Sequence, residues 1–343
     1  MTMKSAPLFL IGLVAFAVLP RGQGQAPAVR AELVSTYTAP EAPTGAVRGG
    51  FPFADFSPDG KLLIIGQGGA GLVYDVATKK QIQTLNELRT MGQNARFSPD
   101  GKRLAGTILE GTLFVWETAR WERLELRGKP GDNFSRQTSP VAWLPDSNRI
   151  AALTKGGVNV WNVDKREVEK HLPHPDVQSV AASPASPEGV LAIADKEKVV
   201  LWDLARQMKL AELEHAAAVL QFSQDGGVLV SLARQTTDNQ TVSTIKIWDP
   251  KTAKLLSQLK HDGSVEIGLS PNGKRLLACM KEKENTVLKV LDTATAQVLF
   301  SKDLGKTGPY YNLVPAWSRD GTQAATVALF QPLQLWRYEE KKP

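Results

Sequence analysis

One short turn motif recurs seven times along this 343-residue chain, and that recurrence limits the possible folds more than any other feature. Phe56-Ser57-Pro58-Asp59-Gly60-Lys61 is followed by an apolar run, as is Phe97-Ser98-Pro99-Asp100-Gly101-Lys102. Related copies are Trp143-Leu144-Pro145-Asp146-Ser147, Ala182-Ser183-Pro184, Phe222-Ser223-Gln224-Asp225-Gly226, Leu269-Ser270-Pro271-Asn272-Gly273 and Trp317-Ser318-Arg319-Asp320-Gly321. The second residue of each copy falls at 57, 98, 144, 183, 223, 270 and 318, a period of 39–48 residues. Such a period marks a stacked or radial array of one supersecondary unit.

Each copy is followed by a short strand, usually closing on Trp and a polar residue: LVYD at 72–75, LFVWE at 113–117, VNVWN at 158–162, VVLWD at 199–203, IKIWD at 245–249, LKVLD at 288–292 and LQLWR at 333–337. A Thr/Lys-rich turn and a further alternating stretch come next, as at Lys80–Leu85 and Lys254–Leu259. Each unit therefore holds four short strands joined by residues that favour tight turns. A single such sheet cannot bury both faces, whereas a radial arrangement packs each on its neighbours and leaves few open edges. The expected fold is all-β, a seven-bladed β-propeller of four-stranded blades. The seventh unit stops after its third strand, and the strand-like Glu32–Thr38 precedes the first unit. That segment is expected to complete the last blade and close the ring.

The Trp-Asp endings and the repeat length resemble the WD-repeat family of propellers over residues 31–338. Family members often carry a Gly-His pair bonded through Ser/Thr and Asp to the Trp. Here only His174, His215 and His261 lie near that position, none preceded by Gly, and blade five comes closest with His215, Ser231 and Trp248. Blades one and six have Tyr74 and Leu291 in place of the Trp. Apolar packing is thus expected to carry most blades.

The segment before the repeats has another character. Lys4 precedes an unbroken apolar run over Ala6–Leu19, then Pro20 and a small-residue stretch, the layout of a signal peptide with a cut expected after Gly24. At 14 residues the run is short for a membrane span. The expected organisation is a signal peptide at 1–24, a linker at 25–30, the propeller at 31–338 and a charged tail at 339–343, giving a periplasmic or secreted protein with no membrane span in the mature chain. Removing residues 1–24 leaves 39 basic and 35 acidic residues, a dispersed net charge of +4 that argues against nucleic acid as a partner. A single cysteine, Cys279, excludes an internal disulfide and reads as a buried structural thiol.

Motifs that look chemical have simpler explanations. Gly66-Gln67-Gly68-Gly69-Ala70-Gly71 fits a dinucleotide fingerprint, but the strand Leu72–Val76 follows where a helix is needed, so a glycine-rich hairpin is expected. His171 and His174 have no third ligand nearby. The Asp residues of the Asp-Gly turns serve the turns. No catalytic, cofactor or metal residue is assigned.

Loop placement offers the one functional clue. In an up-and-down blade, first-to-second and third-to-fourth turns share one face of the disc, and here they are short and uniform. The irregular segments fall in the other set: the links Asn86–Gly92, Arg127–Ser139 and Ser301–Asn312, with expanded inner loops at Ala233–Ser243 and Met280–Asn285. Arg127, Lys129, Asn133, Phe134 and Arg136 on one link, with Lys306, Tyr310 and Tyr311 on another, have the composition of interface anchors. The expected function is a noncatalytic interaction scaffold binding a protein or peptide on that face, monomeric by itself and without a cofactor. The alternatives are a propeller enzyme or enzyme subunit of hydrolase, lactonase or quinone-dependent oxidoreductase type, and a carbohydrate or cell-wall binding module using Tyr310 and Tyr311.

Overall fold

The computed structural model describes residues 29–37, 52–67, 70–89, 95–107, 112–127, 141–306, 313–328 and 332–340. Among these residues, 28 strands form seven four-stranded antiparallel sheets. Six sheets take their strands in sequence order, innermost first. The seventh consists of Val314–Trp317, Gln323–Val327 and Leu333–Glu340, with Val29–Tyr37 as its outermost strand. The expected closure is present: Val29 pairs with Glu340 and Tyr37 with Leu333, with one bulge between Leu33 and Ser35.

The turn chemistry explains why each unit starts in the same way. In the Ser-Pro-Asp-Gly turn the Ser57 hydroxyl donates to Asp59 at 2.7 Å, and Asp59 accepts the backbone N–H of Lys61 at 3.1 Å. The same bond joins Ser98 to Asp100, Ser223 to Asp225 and Ser318 to Asp320. Gly60, Gly101, Gly226, Gly273 and Gly321 close these turns at φ of 66–74°, a region that favours glycine. The serine hydroxyl is the main influence holding Asp59 and Asp225 below the usual carboxylate range, which suits turn formers rather than proton donors.

Seven apolar clusters, one at each blade junction, make up the core among the described residues. Trp116 and Trp161 are among the largest fully buried side chains. The junction of blades seven and one joins Tyr37, Leu333 and Leu335 to Phe56, Leu63 and Tyr74. Tyr37 meets Tyr74 edge-on at 5.5 Å and donates its hydroxyl to Val76 O at 3.3 Å. The restored outer strand therefore also ties blade seven to blade one.

The third-strand tryptophans follow one local rule. The indole N–H finds a partner when the neighbouring strand carries a hydroxyl two residues beyond the tryptophan's paired residue. Trp248 pairs with Leu229 and donates to Ser231, and Trp336 pairs with Ala324 and donates to Thr326. Trp161 and Trp202 have Ala152 and Ile193 in that place, and their indole nitrogens have no partner. Among the described residues, blade five alone builds the bonded trio expected from its residues: Ser231 Oγ accepts the Trp248 N–H at 2.8 Å and lies 2.7 Å from His215 Nδ1.

Three expected irregular segments need correction. Ala233–Ser243 is not a loop. The strands Leu229–Thr237 and Gln240–Asp249 pair throughout, turning at Asp238 and Asn239 with φ of 51° and 62°. Two consecutive positive-φ residues match the twist of a hairpin, and the Thr-rich flanks favour strand. Likewise Met280–Asn285 belongs almost wholly to the strands Arg275–Glu282 and Asn285–Asp292, and Ser301–Lys306 lies in the strand Val298–Lys306. Trp121 is a half-buried turn residue at φ 57°, packed beside the cluster that includes Trp116.

Candidate functional site

The two faces of the disc differ as their loop lengths suggest, but the difference is made by strands as much as by loops. Blades five and six rise above the face that carries the blade links. Their second and third strands run 8–10 residues, against five or six in blades one to four. The resulting wall is polar. Thr236 and Thr241 bond across the blade-five hairpin, Lys289 pairs with Glu282 at 2.6 Å, and Asn285 donates to Asp303 at 2.8 Å. At its foot Arg234 pairs with Glu266 at 2.7 Å and donates to Val265 O.

Two of the eight anchor residues expected from sequence fall within the described residues. Arg127 ends the outermost strand of blade two, exposed and paired with Glu125. Lys306 ends the outermost strand of blade six, exposed and paired with Glu284. Blades two and six are not neighbours, so these two cations are not brought together. Lys129, Asn133, Phe134, Arg136, Tyr310 and Tyr311 lie outside the described residues. The blade link that starts at Asn86 opens with a 3-10 helix over Asn86–Arg89, whose Leu88 is buried.

The motifs set aside on sequence have ordinary structural roles. The glycine-rich segment leads from the strand Leu62–Gln67 into the strand Ala70–Asp75, as a hairpin requires. His171 contacts Asn159 and His174 contacts Asp195, so the two histidines take separate partners. Cys279 is buried, and that burial pushes its thiol well above the usual range. Among the described residues, no three His, Cys, Asp or Glu side chains are grouped to hold a metal ion. Nor is any helix among them long and apolar enough to cross a membrane.

The innermost strands surround a central cavity of about 530 Å³, lined from all seven blades. Side chains join neighbouring inner strands around it. Asp55 accepts the Phe97 N–H at 2.8 Å from blade one to blade two, and Trp143 donates to Arg96 O at 2.9 Å from blade three to blade two. Gln221 brackets Gly268, donating to Ile267 O and accepting from Leu269 N. Trp317 donates to Gly268 O at 2.9 Å. A Cβ at Gly268 would sit 2.9 Å from Pro315 O, so glycine there permits the close approach of blades six and seven.

The channel contains charges that the sequence reading did not single out. Arg96 lies in the inner strand of blade two, where it donates to Ala54 O and Ala95 O at 3.3 and 3.2 Å. Arg319 occupies the turn of blade seven at the place held by Pro58, Pro99, Pro145, Pro184 and Pro271 in five other blades. It reaches past blade one to Pro99 O at 2.8 Å. Asp55 faces both. Burial raises its carboxyl, opposed by the nearby Arg96 and Arg319 guanidiniums. Comparing the seven repeats column by column exposes the signal, because Arg319 and Gln224 are the two departures from the turn proline.

With this geometry in hand, similarity to characterised proteins can be placed. No family model matches the chain. Chicken WD repeat-containing protein 1 (Gallus gallus) is 25% identical over 240 residues, 66% of this chain and 37% of its own length. The mouse protein of that name (Mus musculus) shows the same identity over the same span, 38% of its length. Human apoptotic protease-activating factor 1 (Homo sapiens) is 26% identical over 197 residues, 53% of this chain and 15% of its length. The chain thus spans less than two-fifths of the length of these curated relatives. Seven four-stranded blades make the fold a β-propeller, and the recurrent Trp-Asp strand endings and these similarities support one of WD-repeat type.

Proposed function

We propose that this propeller is a noncatalytic interaction scaffold that acts outside the cytoplasm and docks a protein or peptide on its link-bearing face. The observation that carries this reading is the asymmetry of the disc. One face repeats a bonded four-residue turn with little variation, while the other carries the raised wall of blades five and six. Recognition residues concentrate on variable segments held by a rigid frame. Its WD-repeat relatives add support at the level of fold, since fold alone does not fix function. The leader-like segment 1–24 supports the extracytoplasmic placement.

The test compares residues 25–343 with a variant in which Phe134, Arg136, Tyr310 and Tyr311 are all changed to Ala. Each is immobilised and exposed to the host's extracytoplasmic extract, with matched thermal melts as the folding control. The expected result is one discrete protein retained by the parent and at least about tenfold less by the variant, the loss of two or more interface anchors. Equal retention by both moves the site away from these segments. No specific retention by either overturns the docking assignment.

A further inference from the structure

Six arginines among the described residues are half-buried: Arg96, Arg103, Arg149, Arg234, Arg275 and Arg319. Four face a carboxylate: Arg103 with Asp164 at 2.6 Å, Arg149 with Asp146 at 2.5 Å, Arg234 with Glu266 at 2.7 Å and Arg275 with Asp292 at 2.9 Å. The two exceptions, Arg96 and Arg319, both line the central channel. Each donates through one nitrogen to backbone carbonyls only, and neither forms an ion pair with any described residue. A guanidinium carries five N–H donors in a planar fork, and partial burial without a counter-charge is costly. Three donors on Arg96 and four on Arg319 remain uncommitted.

The charge count in the channel is specific. Arg234 and Glu266 neutralise each other. Asp55 offsets one of the two unpaired guanidiniums without contacting it, and is itself tied to the Phe97 N–H. With Asp55 ionised, one positive charge is left, shared between Arg96 and Arg319. A group bearing a single negative charge brings the channel to neutrality, whereas a dianion overshoots. Carboxylate also matches the guanidinium fork in shape.

Position adds a direction of entry. Arg319 lies within the first-to-second strand turn of blade seven, so it stands at the mouth on the uniform turn face, opposite the links and the raised wall. Pro58, Pro99, Pro184, Pro271 and the neutral Gln224 rim the same mouth, leaving Arg319 as the one charged residue at this turn position. We propose that the turn-face mouth of the channel is a second binding site, which takes the carboxylate of an acidic peptide segment of a partner protein, gripped between Arg319 and Arg96. The site lies on the face away from the docking segments and stands independently of them.

Fluorescence anisotropy with labelled peptides tests this directly, using residues 25–343. Three Gly/Ser-based probes carry an amidated C-terminus and a central Glu, Gln or phosphoserine; a fourth has no acidic side chain but a free C-terminal carboxylate. The Glu peptide should bind at least about tenfold more tightly than its Gln and phosphoserine counterparts, and the free-terminus probe shows whether a terminal carboxylate serves as well as a side chain. Two variants hold the test to the proposed residues. Arg319→Gln should erase the preference for Glu over Gln. Arg319→Pro, which installs the residue five other blades use at this place and so preserves the turn, should do the same with an unchanged melt. Arg96→Gln should weaken the Glu peptide alone. Equal affinity for Glu and Gln peptides, tighter binding of phosphoserine, or a Glu preference that survives Arg319→Pro overturns the site. None of these outcomes depends on the four-alanine variant.

Discussion

Deleting residues 29–37 should lower the melting temperature by roughly 10 °C while leaving the other six blades their strands. The segment contributes all the outer pairing of blade seven, from Val29 opposite Glu340 to Tyr37 opposite Leu333. Val29 and Tyr37 are 2% and 4% exposed, and the strand covers Trp336 and Tyr338. Losing a buried aromatic and a buried aliphatic while uncovering two more aromatics costs on the order of 5 kcal/mol. The loss extends to the junction with blade one, because Tyr37 meets Tyr74 edge-on and bonds Val76 O. Calorimetry on both chains reads the effect directly. Adding the free peptide of residues 29–37 should recover part of it, since the open edge of Leu333–Glu340 is a ready template for a strand. An unchanged melt would assign the strand no share in closing the ring.

The second large effect lies in blade five. Ser231→Ala should cost about 3 kcal/mol, because it strands the buried Trp248 N–H and removes the partner of His215 together. The cost should depend little on salt, since the groups lost are neutral at pH 7. His215 provides a separate test. Burial, with the Lys246 charge adding to it, lowers its pKa to about 4 from the ordinary 6.5. Below pH 6.5 the unfolded chain gains a proton that the folded chain refuses, so stability falls as pH drops from 6.5 towards 4 and levels off beneath. The full loss is about 3 kcal/mol at 1.36 kcal/mol per pKa unit. His215→Asn should flatten the melting temperature across that window. A slope that persists in the variant would place the titrating group elsewhere.

The repeats made the architecture readable because one hydroxyl–carboxylate turn is used again and again, and its residues are few and distinctive. Ser57 with Asp59 and Ser318 with Asp320 do the same task 261 positions apart. The displaced outer strand was readable for a similar reason: seven third strands with six followers in sequence leave one vacancy. The blade-five trio could be named from His215, Ser231 and Trp248 alone. The raised hairpin at Asp238 and Asn239 was not readable, since Thr, Gln and Asn serve loops and exposed strands equally well. What decides it is the pair of positive φ values.

The channel was missed for another reason. Arg96 and Arg319 sit inside well-formed repeats, where a polar residue at a lining position looks like ordinary variation. Their lack of a carboxylate partner is a property of seven blades brought together, not of any one unit. Trp143 and Trp317 show the same limit. Both replace a phenylalanine and fit as core residues, yet each also fastens its blade to the preceding one through a backbone carbonyl.

Both faces and the channel depend on a single closed ring, in which residues near 30 pair with residues near 340 in one register. The most direct measurement is an engineered disulfide across that pair, Glu32→Cys with Arg337→Cys, two exposed positions directly opposite each other. Facing residues of an antiparallel pair are about 4.5–5.5 Å apart at Cα, within the span a disulfide tolerates. Mild oxidation should link them nearly completely and raise the melting temperature, while the offset pair Glu32→Cys with Leu335→Cys should remain reduced. A folded protein in which the first pair stays reduced, or the offset pair links instead, would contradict the closure and with it the placement of both proposed sites.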